Sequence, residues 1–436
     1  MVFGFGKKRP PVPDDDEDEQ IELVLFQGAT NGKDANLSAN ARLVQAGLVR
    51  TKELISDALS RRAEMIRLEP KGQIAVATFF VDGVPYPGNR MPPQAGLAIT
   101  QMMKLLAGLD IQVRNKPQAG GIKAEYTGTP YTLRVNVNPL QGGGERLIVR
   151  AENKTIKLTT PEDLGFSSEM REKFREMAQT KAGVLLAAGP PMSGVTTMAF
   201  AMVRGIDPYL YTVYNLADTE GRELGHVTTF ERNPGDTWVQ SVGRAKRAEA
   251  DVLYVDPIRN AEFCKEVFDE AEDCCFISEV AAHDAAGAIV QVREWLGDPK
   301  LVAQRLHGVI GQKLVRLLCR KCRQAYRPNP KLLAKVGLPP ETKVLYRPPP
   351  PPAEGQPAPE PCSKCGGTGY FGRTGLTEFI ILSDEMKKLV IAGGDAAAIK
   401  AQAKKEKMQT LNSDGMRLVG SGKTSLEELQ RAFKTK

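Results

Sequence analysis

The sequence predicts an α/β protein: a mostly parallel sheet with its helices, preceded by a smaller mixed α/β unit and interrupted by a metal-binding insertion. Three observations predict this. Short apolar strands alternate with helical segments between residues 184 and 278, the order a parallel sheet with crossover helices requires. The first of these strands, Val184 to Ala188, runs into Gly189-Pro-Pro-Met-Ser-Gly194 and then a helix from Thr196 to Arg204. That is the layout of a phosphate-binding loop. Two C-x-x-C pairs, Cys319/Cys322 and Cys362/Cys365, supply four thiolates, a donor set suited to tetrahedral Zn2+ in a structural role.

The elements follow in chain order. Residues 1–38 are expected to be a disordered tail, with Asp14 to Glu19 all acidic and a short strand from Ile21 to Phe26. From Ala39 to Arg67 the pattern is helical, with Leu43, Leu54, Ile55 and Leu59 at compatible spacings. Gln73 to Val81 is rich in β-formers and ends at an Asp82-Gly83 turn. Ile99, Met102, Met103 and Leu106 make one face of a second helix, and Tyr131–Asn138 and Arg146–Arg150 read as strands. These give a mixed α/β domain over 39–152.

A linker over 153–166 contains Thr160-Pro161, an N-cap and N1 pair that starts a helix. The third part, 167–436, opens with a helix at Ser167 and Ser168 whose inner face carries Met170, Phe174 and Met177. Further strands are expected at Leu210–Leu216, Val252–Val255 and Cys275–Ser278. The cysteine element spans 319–365. Within it, Arg347 to Pro361 includes the prolines Pro348 to Pro352 and should be a stiff linker or loop. From about Asp384 to the end the chain is helical.

The phosphate-binding loop lacks its lysine. The motif G-x-x-x-x-G-K-[ST] has Gly189, Gly194 and Thr196 in place, but Val195 stands at the lysine position. Backbone N–H groups from Met192 to Thr196 still form an anion cradle at a helix start. The residues that would hold a nucleotide weakly are Gly189, Ser193, Gly194, Val195, Thr196 and Thr197, with Asp256 as a candidate Mg2+ ligand. A second stretch, Gly420-Ser-Gly-Lys-Thr424, resembles the motif only superficially. Arg417 occupies its leading glycine position, and Ser425 with Glu428 forms a capping box that starts a helix at Leu426.

Composition narrows the function. The apolar fraction of 42% and charged fraction of 25% are ordinary for a globular protein. No run has the length of a membrane-spanning helix and no signal peptide opens the chain, so a cytoplasmic protein is expected, with membrane contact peripheral or through a partner. No Lys/Arg run with interleaved aromatics appears, so no specific nucleic-acid partner is expected. A zinc-containing nucleic-acid binder is therefore the weakest alternative. Cys264, Cys274 and Cys275 lie in apolar surroundings, and the three histidines lack ligand spacing.

The chain resembles the secretion ATPase family, the hexameric motors of type II secretion and type IV pilus assembly. Met103-Lys-Leu-Leu-Ala-Gly-Leu-Asp-Ile111, Leu133-Arg-Val135 and Gly144-Glu-Arg-Leu-Ile-Val-Arg150 look like motifs of its first domain, and Pro117-Gln-Ala-Gly120 stands where the family has a P-Q-D-G turn, so a turn is expected there. Asp284-Ala-Ala-Gly-Ala288, Gln312-Lys-Leu-Val-Arg316 and Gly369-Tyr-Phe-Gly-Arg-Thr-Gly375 with Glu378 match its second. The family also often carries the paired C-x-x-C here. The resemblance implies a RecA-like P-loop motor domain, ATP with Mg2+, a ring of six subunits and an inner-membrane platform protein as partner.

The departures fall on the family's chemistry. Val195 replaces the loop lysine. The acidic box reads Ala217-Asp218-Thr219, so Ala217 replaces a carboxylate. The Walker B segment reads Asp256-Pro257-Ile258-Arg259-Asn260, with Pro257 for its glutamate. The histidine box reads Val280-Ala281-Ala282-His283-Asp284, with Ala281 for its histidine. Two arginines of the first domain are Thr78 and Phe80. Losing one such group typically costs about 10²–10⁴-fold in rate. The expectation is a degenerate ATPase with no catalytic residues, structural or regulatory in role, in a homo-hexamer or in a mixed ring with an active paralogue. An active motor with a rearranged site around Asp256 is the alternative.

Overall fold

The computed structural model describes residues 22–156, 164, 166, 168–219, 222, 224–225, 227–350 and 360–434. The expected acidic run at 14–19, the helix start at 160–161, His226 and most of the proline-rich segment lie outside them. The chain divides into two compact units, Met1–Ile156 and Lys157–Lys436.

The first unit is a seven-stranded antiparallel sheet with two helices. In chain order it comprises β1 (Leu25–Ala29), α1 (Ala41–Ser60), β2 (Met65–Lys71), β3 (Ile74–Val81), β4 (Val84–Met91), α2 (Pro93–Leu106), β5 (Gln118–Tyr126), β6 (Thr129–Pro139) and β7 (Glu145–Asn153). The strand order is β1-β5-β6-β7-β2-β3-β4. Alternation drives it. Ala75, Ala77, Phe79 and Val81 of β3 face inward with Leu133, Val135 and Val137 of β6, against Leu54, Ile55, Ile99 and Met102 of the two helices. Thr78 and Phe80 lie on the other face of β3, where the Arg67 guanidinium stacks over Phe80 at 5.5 Å.

Three expectations change here. The helix predicted over 39–67 ends at Ser60, and Met65–Lys71 is a central strand. The strand predicted over 21–26 instead spans Leu25–Ala29 and pairs with β5, so it belongs to this sheet and not to a tail. Pro117 to Gly120 leads into β5 in place of a turn.

The second unit is doubly wound. Its elements are α3 (Ser168–Ala178), β8 (Val184–Gly189), α4 (Val195–Arg204), β9 (Val213–Asn215), β10 (Thr228–Thr229), α5 (Trp238–Arg247), β11 (Val252–Tyr254), α6 (Ala261–Asp269), β12 (Cys275–Ala281), α7 (Ala285–Leu296), α8 (Pro299–Arg305) and β13 (Leu306–Leu318). There follow β14 (Gln324–Tyr326), α9 (Pro330–Val336), β15 (Leu345–Arg347), β16 (Tyr370–Ile381), α10 (Asp384–Ile391), α11 (Ala396–Lys405), α12 (Leu411–Gly420) and α13 (Leu426–Lys434). The main sheet runs β10-β9-β11-β12-β8-β13-β16. All its pairings are parallel except β13 with β16. Both faces are covered, which suits the unbroken burial of β8, β11 and most of β12. One core joins these strands to Val242, Val267, Ile289 and Met386, the other to Phe174, Met198 and Met202.

The C-terminal helices are tied to the sheet by a buried carboxylate. As expected, Ser425 caps α13 by accepting the Glu428 N–H at 3.1 Å. The second half of the predicted box does not form. Glu428 instead accepts the Arg316 backbone N–H at 3.0 Å, the Arg316 guanidinium at 2.9 and 2.7 Å, and Arg431 at 2.6 Å. Burial alone would raise the Glu428 pKa, but the hydrogen bonds from Arg431 and Arg316 hold it below the ordinary carboxylate range. A depressed folded pKa stabilises above the unfolded value of about 4.3 and is lost as pH falls through the folded value. The wild type is therefore expected to melt well above Glu428→Gln at pH 7. That gap should shrink below about pH 4, as thermal melts across pH would show. A gap that does not depend on pH would contradict this.

Candidate nucleotide loop and metal centre

Among the parallel strands, the adjacent β9, β11, β12 and β8 end on one edge of the sheet. Ligands of open α/β sheets bind outside these carboxyl ends. Ala217 follows β9, Asp256 and Pro257 follow β11, Ala281 ends β12, and Gly189 ends β8. The structure thus brings together the positions singled out in four separate sequence segments. Ala281 is the register partner of Gly189, and the Ala282 N–H donates to the Gly189 carbonyl at 3.2 Å. The Asp218 N–H donates to Asp256 Oδ1 at 2.9 Å, and Arg232 reaches Asp256 Oδ2 at 3.2 Å. The carboxylate expected to hold Mg2+ is therefore engaged by a backbone amide and a guanidinium.

The loop itself is formed as the motif requires. Gly194 sits at φ 82 as the N-cap of α4, and Met192 at φ 66. Glycine is needed at 189, where a Cβ would lie 2.4 Å from Ser193 Oγ and 2.8 Å from Val195 Cγ2. Gln312 Nε2 donates to the Ser193 carbonyl at 2.8 Å and braces the loop from β13.

Thr196 has a partner that the sequence reading missed. Its hydroxyl donates to Glu279 Oε2 at 2.8 Å, and the Tyr254 hydroxyl donates to Glu279 Oε1 at 2.6 Å. Glu279 lies in β12 and is only 6% exposed. Burial first, and then the Glu279 carboxylate, push Tyr254 far above its ordinary range, so Tyr254 stays protonated as the donor. A signal was available: Glu279 is a lone charge within the apolar run from Cys275 to Val280.

For ATP with Mg2+ the fit is split. The amides of the loop and the α4 N-terminus suit phosphate. The side chains do not. The position for a positive charge holds Val195, and the hydroxyl that P-loop proteins give to Mg2+ is held by a carboxylate.

The cysteines meet at the far end of the β13/β16 ribbon. Leu318 pairs with Tyr370, and the Cys319 N–H donates to the Gly369 carbonyl at 2.9 Å. This closes the intervening segment and places one sulfur of each of Cys319, Cys322, Cys362 and Cys365 within 4.8 Å of all the others. Cys319 and Cys362 sulfurs are 4.0 Å apart, Cys322 and Cys365 sulfurs 3.6 Å. Tetrahedral Zn–S bonds of about 2.3 Å place sulfurs about 3.8 Å apart, so the donor set fits zinc. Backbone N–H groups of Cys365 and Lys364 draw the Cys362 thiol down to about 6. The other three cysteines behave oppositely: burial lifts Cys264 and Cys274 to about 12 and Cys275 higher still.

His283 is the residue before the Asp284 N-cap of α7 and contacts Asp284 at 2.8 Å and Lys313 at 3.2 Å. Lys181 pairs with Asp251 at 2.8 Å, at the opposite end of β8 from the loop. Among the described residues no helix is long and apolar enough to cross a membrane.

A family model described as "Type II/IV secretion system protein" matches residues 44–431. The type IV pilus assembly ATPase PilB of Thermus thermophilus is 29% identical over 385 residues, which is 87% of this chain and 42% of that protein. The Myxococcus xanthus PilB is 28% identical over 436 residues, covering 98% of this chain and 74% of its own. Type II secretion system protein E of Xanthomonas campestris pv. campestris is 26% identical over 395 residues, 89% of this chain and 67% of its own. The chain thus spans less than half the length of the Thermus relative. Among solved structures, the ATPase DotB of Legionella pneumophila superposes with a TM-score of 0.52 at 15% identity, covering 88% of this chain and 95% of that one. The Yersinia pseudotuberculosis DotB gives 0.54 at 12% identity, covering 96% and 100%. With its P-loop ATPase fold and a matched span reaching through both compact units, the chain belongs to the type II/IV secretion system protein family.

Proposed function

We propose that this chain is a hydrolysis-incompetent member of the family, a structural or regulatory subunit of a type II secretion or type IV pilus-like assembly. One observation carries the reading. At the carboxyl edge of the sheet, Val195, Ala217, Pro257 and Ala281 offer no charged or proton-transferring side chain. Phosphoryl transfer depends on positioned charge around the phosphates and the attacking water. A scaffold kept intact while four such groups are missing supports retention for assembly.

The partners follow from the same reading: a ring of six with itself or with an active paralogue, working against an inner-membrane platform protein from the cytoplasmic side. Zinc at Cys319, Cys322, Cys362 and Cys365 is structural, because four protein thiolates leave no open position for water.

Steady-state ATPase activity of the wild type and Val195→Lys, with a platform partner present, tests the proposal. The expected result is no turnover by either. Val195→Lys should bind nucleotide more tightly, by roughly ten-fold or more, because it returns charge to the phosphates. It should not hydrolyse, since the missing acidic groups act on another step. The second reading, an active motor with a rearranged site, is favoured by Asp256, whose carboxylate lies at the same edge. Turnover by the wild type that disappears in Asp256→Ala would establish it and end the first.

A further inference from the structure

We infer that Glu279 sets the ligand preference of the phosphate loop, acting as a built-in anion beside the N-terminus of α4 that excludes free phosphate and nucleotide. This deepens the reading of the loop as non-catalytic and rests on it.

Three observations carry the inference. First, the carboxylate is placed and not merely nearby. Thr196 is the second residue of α4, and its hydroxyl holds Glu279 Oε2 at 2.8 Å while Tyr254 holds Oε1 at 2.6 Å. Second, the position is electrostatically favourable for an anion. The first turn of a helix stabilises negative charge through its unpaired amides and dipole. Glu279 supplies that charge from within the chain, so the cradle's attraction for an external anion is already partly answered. Third, the charge balance of the loop is inverted. Where the motif places a lysine the chain has Val195, and a carboxylate contacts the hydroxyl two residues after Gly194. A phosphate entering the loop meets a like charge with no lysine to offset it. In a half-buried site that repulsion is screened far less than at the surface.

The role is one of specificity. Glu279 touches no reacting atoms, and Tyr254 is a positioning residue that acts through it.

The test compares binding of inorganic phosphate and of ADP, each with and without Mg2+, by calorimetry on the full chain. The proteins are wild type, Glu279→Gln, Glu279→Thr and Tyr254→Phe, each first checked for a cooperative melt. Glu279→Gln keeps the shape and removes the charge. It is expected to bind phosphate and ADP at least ten-fold more tightly than the wild type, and Glu279→Thr should do the same. Tyr254→Phe loosens the network but keeps the carboxylate, and should bind no better than the wild type.

Folded Glu279→Gln and Glu279→Thr proteins with unchanged affinity would overturn the inference. So would a gain in Tyr254→Phe equal to theirs, since packing and not charge would then govern the loop. Wild-type binding of Mg-ADP that Glu279→Gln loses would also overturn it, by making Glu279 a cation ligand. The readout is binding without turnover. A wild type that hydrolyses ATP would instead sink the functional proposal, through a separate measurement.

Discussion

Protein expressed with zinc supplied is expected to retain about one zinc per chain, and stripping it should unfold the two cysteine knuckles while the main sheet survives. The reason is geometric. Between Leu318 and Tyr370 the described residues form only the two-stranded β14/β15 sheet, α9 and the knuckles. Two short strands and a seven-residue helix cannot bury a core of their own; Leu333, Leu338 and Leu345 are instead buried with Leu411, Leu418 and Leu429 of the C-terminal helices, which leaves the knuckles themselves outside that core. What joins the knuckles is the hydrogen bond from the Cys319 N–H to the Gly369 carbonyl, the contact of Lys321 with the Ser363 hydroxyl, and four converging sulfurs. Structural zinc in small peptides contributes about 10–16 kcal/mol of apparent binding energy, which in such systems is folding energy. Hydrogen exchange with and without a chelator is the direct measurement. Protection should vanish across the knuckles at 319–323 and 362–369 and persist in β8, β11 and β12. Cys319→Ser should lower metal content and reproduce the pattern. Metal content near zero in protein made with zinc present, or exchange indifferent to chelation, would refute the assignment.

The parts of this fold that could be read in advance are those where local chemistry and tertiary role agree. Gly189 to Thr197 is legible because a tight loop after a buried strand demands glycine at fixed places. The strands at 252 and 275 are legible because both faces of a central parallel strand are apolar. The cysteine pairs are legible because their spacing is itself the ligand geometry.

The failures share a different cause. β2 was hidden because the break after α1 carries no glycine or proline. Arg62 makes the turn at φ 63, a left-handed conformation for which arginine gives no warning. β4 gives no strand signal because it carries Pro85, Pro87 and Gly88, yet it is an edge strand, where proline is tolerated. β5 was hidden because Gly120, with Gly121 beside it, ends the expected turn at Pro117–Gly120. The two glycines serve close packing: a Cβ would come 2.9 Å from the Ala107 carbonyl oxygen at 120 and 2.6 Å from Thr30 Oγ1 at 121. At the loop, Val195 was singled out by the motif, and Ala217, Pro257 and Ala281 by resemblance alone. Glu279 shows in the sequence as a lone charge in an apolar run, but its place against Thr196 of the loop emerges only with β12 lying beside β8.

Removing either member of the Lys104–Glu145 pair should destabilise the first unit more than an ordinary core substitution, and removing both should restore most of the loss. The two residues come from separate sequence motifs, one in α2 and one at the start of β7. Their side chains are 0% and 3% exposed, and Lys104 Nζ lies 3.0 Å from Glu145 Oε1. Lys104 also donates to the Val113 carbonyl at 2.6 Å. The pair pins α2 to the sheet and fixes the segment after it. Removing one partner of a buried pair leaves an uncompensated charge and costs about 3–5 kcal/mol. Native proteins hold only about 5–15 kcal/mol in all, so Lys104→Met or Glu145→Leu alone should cost a large part of that margin. Replacing both with apolar residues of similar size removes the stranded charge. The Val113 carbonyl loses Lys104 but keeps its hydrogen bond from Gln118 Nε2 at 2.9 Å, so the remaining loss is about one ordinary hydrogen bond, about 0.5–1.5 kcal/mol. The order expected from urea melts of the full chain is therefore wild type, then the double variant, then the two singles. Strictly additive losses would mean that the two side chains act independently and that the pair does not hold the unit together.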